Sequence, residues 1–446
     1  MPASMRLPPS TTAIGLRAVG IGAIMVMPLL LLHAHGVGEA GIAVADLCFL
    51  GWCAAQGEWR WLRTPWVWFA GTWWLWLVIC SLPLPMLHVG EGNLHSSVQA
   101  LAVVRFIVLA AAMEHLLLRA EPVRNWLYAL SALSVLWIVI NSATQMMTGL
   151  NLIGWPRGPD GELTGPFGTP RAGPALSRIM LPALLPPVAE LLETRGLAHR
   201  LMAYALLLIG FGMLIFTGQR MPLILTLFGL VIVAVLMRPL RPVVFVVAIG
   251  GTLLLAASPA VAPQAYHRLV ESFSHQMENF STSSYGKMYA RAWEIGVQNP
   301  ITGLGFDGFG TGCPQPRYFR PTFDGRIADG GAATFCWNHP HNYYFEALAN
   351  GGFVGLALFC AMAAAWLVTL GRGLWSDPIP IRVALFATAV FEFWPIQSST
   401  AFTSMPIGGW LFLLLGWGLA EARWPRQHPI VDLVDAGDDR KRGMYR

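Results

Sequence analysis

Two imidazoles separated by one proline, in Asn338-His339-Pro340-His341-Asn342, stand where a long polar stretch gives way to an apolar one. Neutral histidine can take a proton near physiological pH, so either ring is a candidate general base for a hydroxyl group. The plainer reading is a pair of polar rings at a membrane interface, and the cluster alone does not decide between the two. As metal ligands the pair is incomplete, because no Asp, Glu or Cys set stands near enough in sequence to fill a coordination shell. Neither a metal nor an organic cofactor is expected.

Cations form the second group. Thr217-Gly218-Gln219-Arg220-Met221-Pro222 is a short polar hairpin between two apolar runs. A charge at the edge of a bilayer is costly unless it is paired or serves a ligand. Pro222 suits the first turn of the following helix, whose N-terminal amides favour an anion. Arg220, with Gln219 beside it, is therefore a candidate phosphate seat, against the simpler possibility that the arginine snorkels to headgroups. Arg291 falls in a segment of helical spacing with Lys287 one turn earlier, so the two can clamp a diphosphate or form a solvated face near Glu294. Arg157, Asp160, Glu162 and Arg171 lie in a Gly/Pro-rich loop, 154 to 174, where ordinary solvated charges are the simpler account. Arg105 and Glu392 each lie about two turns inside an apolar run, and opposite charges at such depth predict a pair.

The elements that must position these residues are set by composition. Of 446 residues, 55% are hydrophobic and 12% charged, which makes the bilayer the natural solvent. At about 20 apolar residues per span, runs occur near 12 to 33, 37 to 55, 65 to 84, 99 to 118, 125 to 147 and 174 to 192. Six more lie near 200 to 217, 221 to 237, 242 to 262, 342 to 370, 380 to 397 and 406 to 422. The expected fold is an all-α polytopic membrane protein of about twelve transmembrane helices, one membrane domain over 1 to 446. The long loop, 263 to 341, is inserted between the ninth and tenth spans and is expected to form a helical cap without an independent core.

Arginine placement sets the orientation. One set of connections carries Arg60, Arg63, Arg119, Arg124, Arg195, Arg200, Arg238, Arg241, Arg372 and Arg382, joined by the basic C-terminal tail with Arg423, Arg426, Arg440, Lys441, Arg442 and Arg446. The positive-inside rule makes that face cytoplasmic, with both termini on it and the long loop periplasmic. Arg157, Arg171 and Arg220 are then left outside without a topological reason. Because topology accounts for most of the positive charge, no nucleic-acid patch is expected and membrane lipid is the expected environment. Cys48, Cys53, Cys80 and Cys360 sit in apolar runs and read as packing residues. Cys313 and Cys336 share the long loop, where an oxidising periplasm would permit a bridge worth roughly 3 kcal/mol.

These residues together resemble the O-antigen ligase and O-antigen polymerase superfamily of lipid-linked glycan transferases. The resemblance rests on Gly218-Gln219-Arg220, then on Arg291-Ala292-Trp293 followed by Asn299-Pro300-Ile301-Thr302-Gly303-Leu304-Gly305. The third place is His341-Asn342 with Gly352 and Gly355 beyond, similar to the ligases' histidine motif at each fixed position. It implies an O-antigen ligase of the bacterial inner membrane, working on its periplasmic face. Polysaccharide would pass from undecaprenyl diphosphate to a sugar hydroxyl of the lipid A core, inverting the anomeric centre without a metal. His339 or His341 would be the base, since proline separates the two and either can fill the family's position. Arg220 and Arg291 would stabilise the departing diphosphate, with Lys287, Arg105, Gln219, Asn342, Arg157 and Arg171 as candidate substrate contacts. An O-antigen polymerase and a protein O-oligosaccharyltransferase share the pattern. A lipid-linked sugar transporter or flippase is the alternative of another class, opposed by polar residues that gather at the outer edge and not at the midplane.

Overall fold

A backbone in lipid must satisfy its own N–H and C=O groups, and a helix does so within one segment. A computed structural model of the chain describes residues 10–83, 92–194, 196–319, 336–396, 401–405, 407–424 and 426. These form helices and turns, with one isolated β-bridge between Leu150 and Pro156. Arg195, Arg440, Lys441, Arg442 and Arg446 of the expected cytoplasmic set lie outside the described residues, as does 320–335 of the long loop.

In chain order, α1 (Thr11–His33), α2 (His35–Gln56) and α3 (Pro65–Ser81) lead to a pair, α4 (Leu94–Ala102) and α5 (Val104–Ala112), that runs on through a π-turn to Leu117. Next come α6 (Glu121–Thr148), α7 (Ala172–Glu193), α8 (Leu197–Phe216), α9 (Arg220–Leu236) and α10 (Arg241–Val261). The long loop contains α11 (Pro263–Tyr266), α12 (Ser272–Glu278), α13 (Ser284–Gln298) and α14 (Gly308–Gly312). The chain closes with α15 (Tyr343–Gly371), α16 (Pro380–Glu392) and α17 (Ile407–Arg423). Among the described residues, eight segments are long and apolar enough to cross a membrane, and the protein is a multi-pass membrane protein. The other four expected spans hold α3, α9 and α17, of 17 residues each, and α16, of 13. The expected span 380 to 397 stops at Glu392, shortly before Pro395, which lacks an N–H to continue the ladder.

The chain packs as two compact units. The first gathers the chain through Leu117, Val270–Thr369 and Glu392–Gly416. Its core is aromatic: Phe402 meets Trp73, Tyr343, Phe359 and Phe412 with ring centroids 5.2–5.6 Å apart. Trp66 donates its indole N–H to Glu114 at 2.8 Å, which gives a buried carboxylate a partner.

The second unit gathers Leu118–Leu269, Leu370–Phe391 and the chain from Trp417. Arg124, read from sequence as a topological charge, is buried here against Glu421 at 3.3 Å and donates to the carbonyls of Leu118 and Arg119. Arg426 joins the same carboxylate, and Trp417 donates to it at 3.0 Å. Within α7, Pro187 has no N–H for the carbonyl of Ala183, and the hydroxyl of Tyr128 donates there instead at 3.0 Å.

Candidate functional site

The two histidines stand at the entrance of α15, in the first unit. Asn342 caps that helix: its side-chain oxygen accepts from the N–H groups of Tyr344 and Phe345 at 2.9 and 3.2 Å. Its amide donates to the carbonyl of Pro395 at 2.7 Å, so this candidate substrate contact has a structural task. His341, just before it, takes a left-handed backbone at φ 56°, a conformation uncommon outside glycine and found where a site imposes it. Its ring lies 4.5 Å from that of His339, 5.6 Å from Tyr285 and 6.3 Å from Trp337, centroid to centroid.

The two imidazoles are electrically unequal. Burial, and then the charge of His341, lower the pKa of His339 to about 4. Two cations cannot share this corner cheaply, and His339 is the ring that burial holds neutral. Nε2 of His339 is buried with no hydrogen-bond partner among the described residues, an orphaned polar atom of the kind that marks sites awaiting a ligand.

Glycines fix the depth of this corner. α15 breaks at Gly352, φ 64°, where the N–H of Phe353 turns to the carbonyl of Pro300 at 2.7 Å. The carbonyls thus freed at Ala349 and Asn350 accept from Leu304 and Gly305 at 2.9 and 3.0 Å. A Cβ on Gly303 would lie 2.5 Å from the carbonyl oxygen of Ala349, and one on Gly352 2.5 Å from that of Pro300. The Pro300-to-Gly305 turn and the glycine of the histidine motif are therefore two halves of one lock, far apart in sequence and hydrogen-bonded through the backbone.

The long loop builds its own apolar cluster from Met288, Ala292, Ile295, Leu304, Phe309, Cys313 and Tyr318, closed by Ala349 of α15. Arg291 is enclosed in it at 3% exposure. Its guanidinium donates to the carbonyl of Cys313 and sits 3.9 Å above the ring of Phe319. Lys287 precedes it by one turn, half-buried. Cys313 and Cys336 form a disulfide, with Cα atoms 5.8 Å apart.

Arg220 begins α9, in the second unit, after a turn at Gly218 with φ 70°. Its Nε–H donates to the carbonyl of Arg268 at 2.7 Å, and Nε–H of Arg268 returns a bond to Gly218 at 3.2 Å. Arg268 also binds Asp160 at 2.7 Å and Glu162 at 2.8 Å. The carboxylates of the Gly/Pro-rich loop are thus engaged in a clasp around the arginine turn. Sequence reading passed over Arg268, since an arginine in a loop this long carries no topological signal. Arg157 donates to Gln264 at 2.5 Å and to the carbonyl of Met146 at 2.8 Å. Gln219 donates to Pro170 at 2.6 Å. Arg171 precedes α7, and burial lowers its pKa.

Two expectations are corrected. Arg105 pairs with Glu39 of α2 at 3.1 Å, where a pair with Glu392 was expected; hydropathy gives depth but not the helix that faces it. Cys360 is exposed on α15, unlike the buried Cys48, Cys53 and Cys80.

Comparison with known proteins gives one positive finding. Residues 205–360 match the family described as O-antigen ligase. No curated protein matches the chain. The Arg220 hairpin, the Arg291 helix with its glycine turn, and the His341 motif all fall inside the matched stretch, which covers about a third of the chain and is what is similar to the O-antigen ligase family.

Proposed function

We propose that the protein is an O-antigen ligase, transferring polysaccharide from undecaprenyl diphosphate to a sugar hydroxyl of the lipid A core on the periplasmic side of the bacterial inner membrane. The observation that carries this reading is the family match over 205–360, which contains the three motifs that carry the resemblance. A glycosyl diphosphate already has a good leaving group, so the protein must supply a base and balance the departing charge. The acceptor hydroxyl gives its proton to His341 as its oxygen attacks the anomeric carbon. The bond from that carbon to the diphosphate oxygen breaks, the electron pair leaves with the diphosphate, and the centre inverts. His339, whose buried Nε2 has no partner among the described residues, is the alternative base that would take the same proton in place of His341.

Arg220 and Arg291 act on the diphosphate, for which a guanidinium that stays charged and binds oxygens in pairs is suited. Arg291 also holds the turn at Cys313, so its replacement tests support and charge together. Purified protein incubated with a lipid-linked glycan and three acceptors tests the reading. Product on lipid A core is expected. Product on a second lipid-linked glycan instead makes the protein a polymerase, and product on a Ser/Thr peptide makes it an oligosaccharyltransferase. No product on any acceptor, with glycan translocated across a vesicle, would replace catalysis with transport.

A further inference from the structure

Helix α13 carries three sectors where a cap helix surrounded by water would carry two. One sector, with Met288, Arg291, Ala292 and Ile295, is buried in the loop's apolar cluster. A second bears Lys287, Glu294 and Gln298, and Gln298 donates to Glu294 and to the carbonyl of Arg317 at 2.8 and 3.0 Å. The third is apolar and uncovered: Trp293 and Val297, at i and i+4, are 43% and 45% exposed, and Ile301 just past the helix is 62% exposed.

The chain fixes where this third sector lies. α15 has 29 residues, more than the about 20 that cross the hydrocarbon. Counting about 20 residues back from Gly371 brings the boundary of the hydrocarbon to the kink at Gly352. The turn after α13 is hydrogen-bonded to that kink through Pro300, Leu304 and Gly305. The ring of Trp293 meets Phe353, the residue after the kink, edge-on at 5.8 Å. Phe353 and Val354 are themselves exposed on a membrane-spanning helix. The apolar sector of α13 thus continues the lipid-facing surface of α15.

We propose that α13 lies in the membrane interface, with Trp293, Val297 and Ile301 immersed at the boundary of headgroups and acyl chains of the bilayer. Tryptophan favours that depth, and an amphipathic helix lying in the interface plane buries its apolar face there. Val297 faces lipid while Gln298, its neighbour, faces water. The inference holds whether or not the protein is a glycan transferase.

The test uses the full chain in lipid nanodiscs, in a Cys360→Ser background that removes the exposed free cysteine. Nitroxide labels on Val297→Cys, Gln298→Cys and Phe353→Cys report collisions with oxygen, which concentrates in lipid, and with a water-soluble nickel chelate. Trp293→Cys is a second reporter of the apolar sector should Val297→Cys fail to fold. Oxygen is expected to relax the label at 297 several-fold more effectively than nickel, as at 353, with the reverse at 298. Nickel access at 297 equal to that at 298 would place the sector in water and overturn the proposal. Shielding of 297 from both reagents would show protein covering it and would overturn it equally.

Discussion

At the scale of single residues, the histidine pair and the arginine clasp make separable claims. His341→Ala is expected to abolish transfer while leaving donor binding nearly unchanged, because an uncharged acceptor-side ring contributes little to holding a diphosphate. His339→Ala is expected to lower the rate less. Single-turnover and donor-binding measurements on the two variants decide this, and full activity in both would remove the general-base proposal. The depressed His339 also sets a pH dependence. Below about 6.5 the unfolded chain takes this proton, whereas folded His339 resists it down to about 4. Stability from this residue is therefore complete above pH 6.5 and declines as pH falls toward 4, a trend that His339→Ala should remove from thermal melts in detergent. In the clasp, Arg220→Lys keeps the charge but loses the bond to Arg268 and the paired geometry, and activity should fall about tenfold or more. Arg268→Ala should lower activity through Arg220, with partial recovery in Arg268→Lys, which keeps a cation for Asp160 and Glu162. Sequence pointed to the histidines because a neutral imidazole can take a proton near physiological pH, and to Arg220 because a charge at a bilayer edge is costly without a partner or ligand. It missed Arg268 and the capping task of Asn342, which depend on partners brought close only by folding.

At the scale of elements, apolar runs made the helices legible, since in lipid hydropathy and helix formation report the same constraint. What escaped was the lock between the glycine turn and the kinked α15. Its contacts are backbone hydrogen bonds, and no side-chain pattern announces a carbonyl that will be left without its helical donor. Gly352→Ala should reveal it. At φ 64° and ψ −164°, Gly352 lies where essentially only glycine goes, which costs another residue about 1–3 kcal/mol before any steric term, and a Cβ there would stand 2.5 Å from a backbone oxygen. A melting temperature several degrees lower is expected, whereas Gly373→Ala, also at positive φ but with no atom near its Cβ, should cost only the conformational part. Equal losses in the two variants would contradict the lock.

At the scale of the whole molecule, orientation and the buried ion network can each be tested. Reporter fusions after 160 and 310 should read periplasmic, and those after 122, 197 and 376 cytoplasmic; a cytoplasmic reading at 310 would put the lipid A core out of reach of the histidines. Glu421→Ala should destabilise the protein by about 3–5 kcal/mol, because it leaves Arg124 buried without its anion. Denaturation in mixed micelles measures this loss, and an unchanged profile would contradict it. The arginine count predicts a cytoplasmic face but is silent on Arg124 being interior, since a topology rule counts charges without saying which become buried. The Cys313–Cys336 bond finally bears on manufacture. Its two thiols are encoded 23 positions apart on either side of the stretch 320–335, so on the proposed periplasmic placement they meet only after that part of the loop has left the ribosome and been exported. Cell-free synthesis under reducing conditions should yield chains that are inserted yet immature, and adding an oxidant afterwards should complete them without new translation.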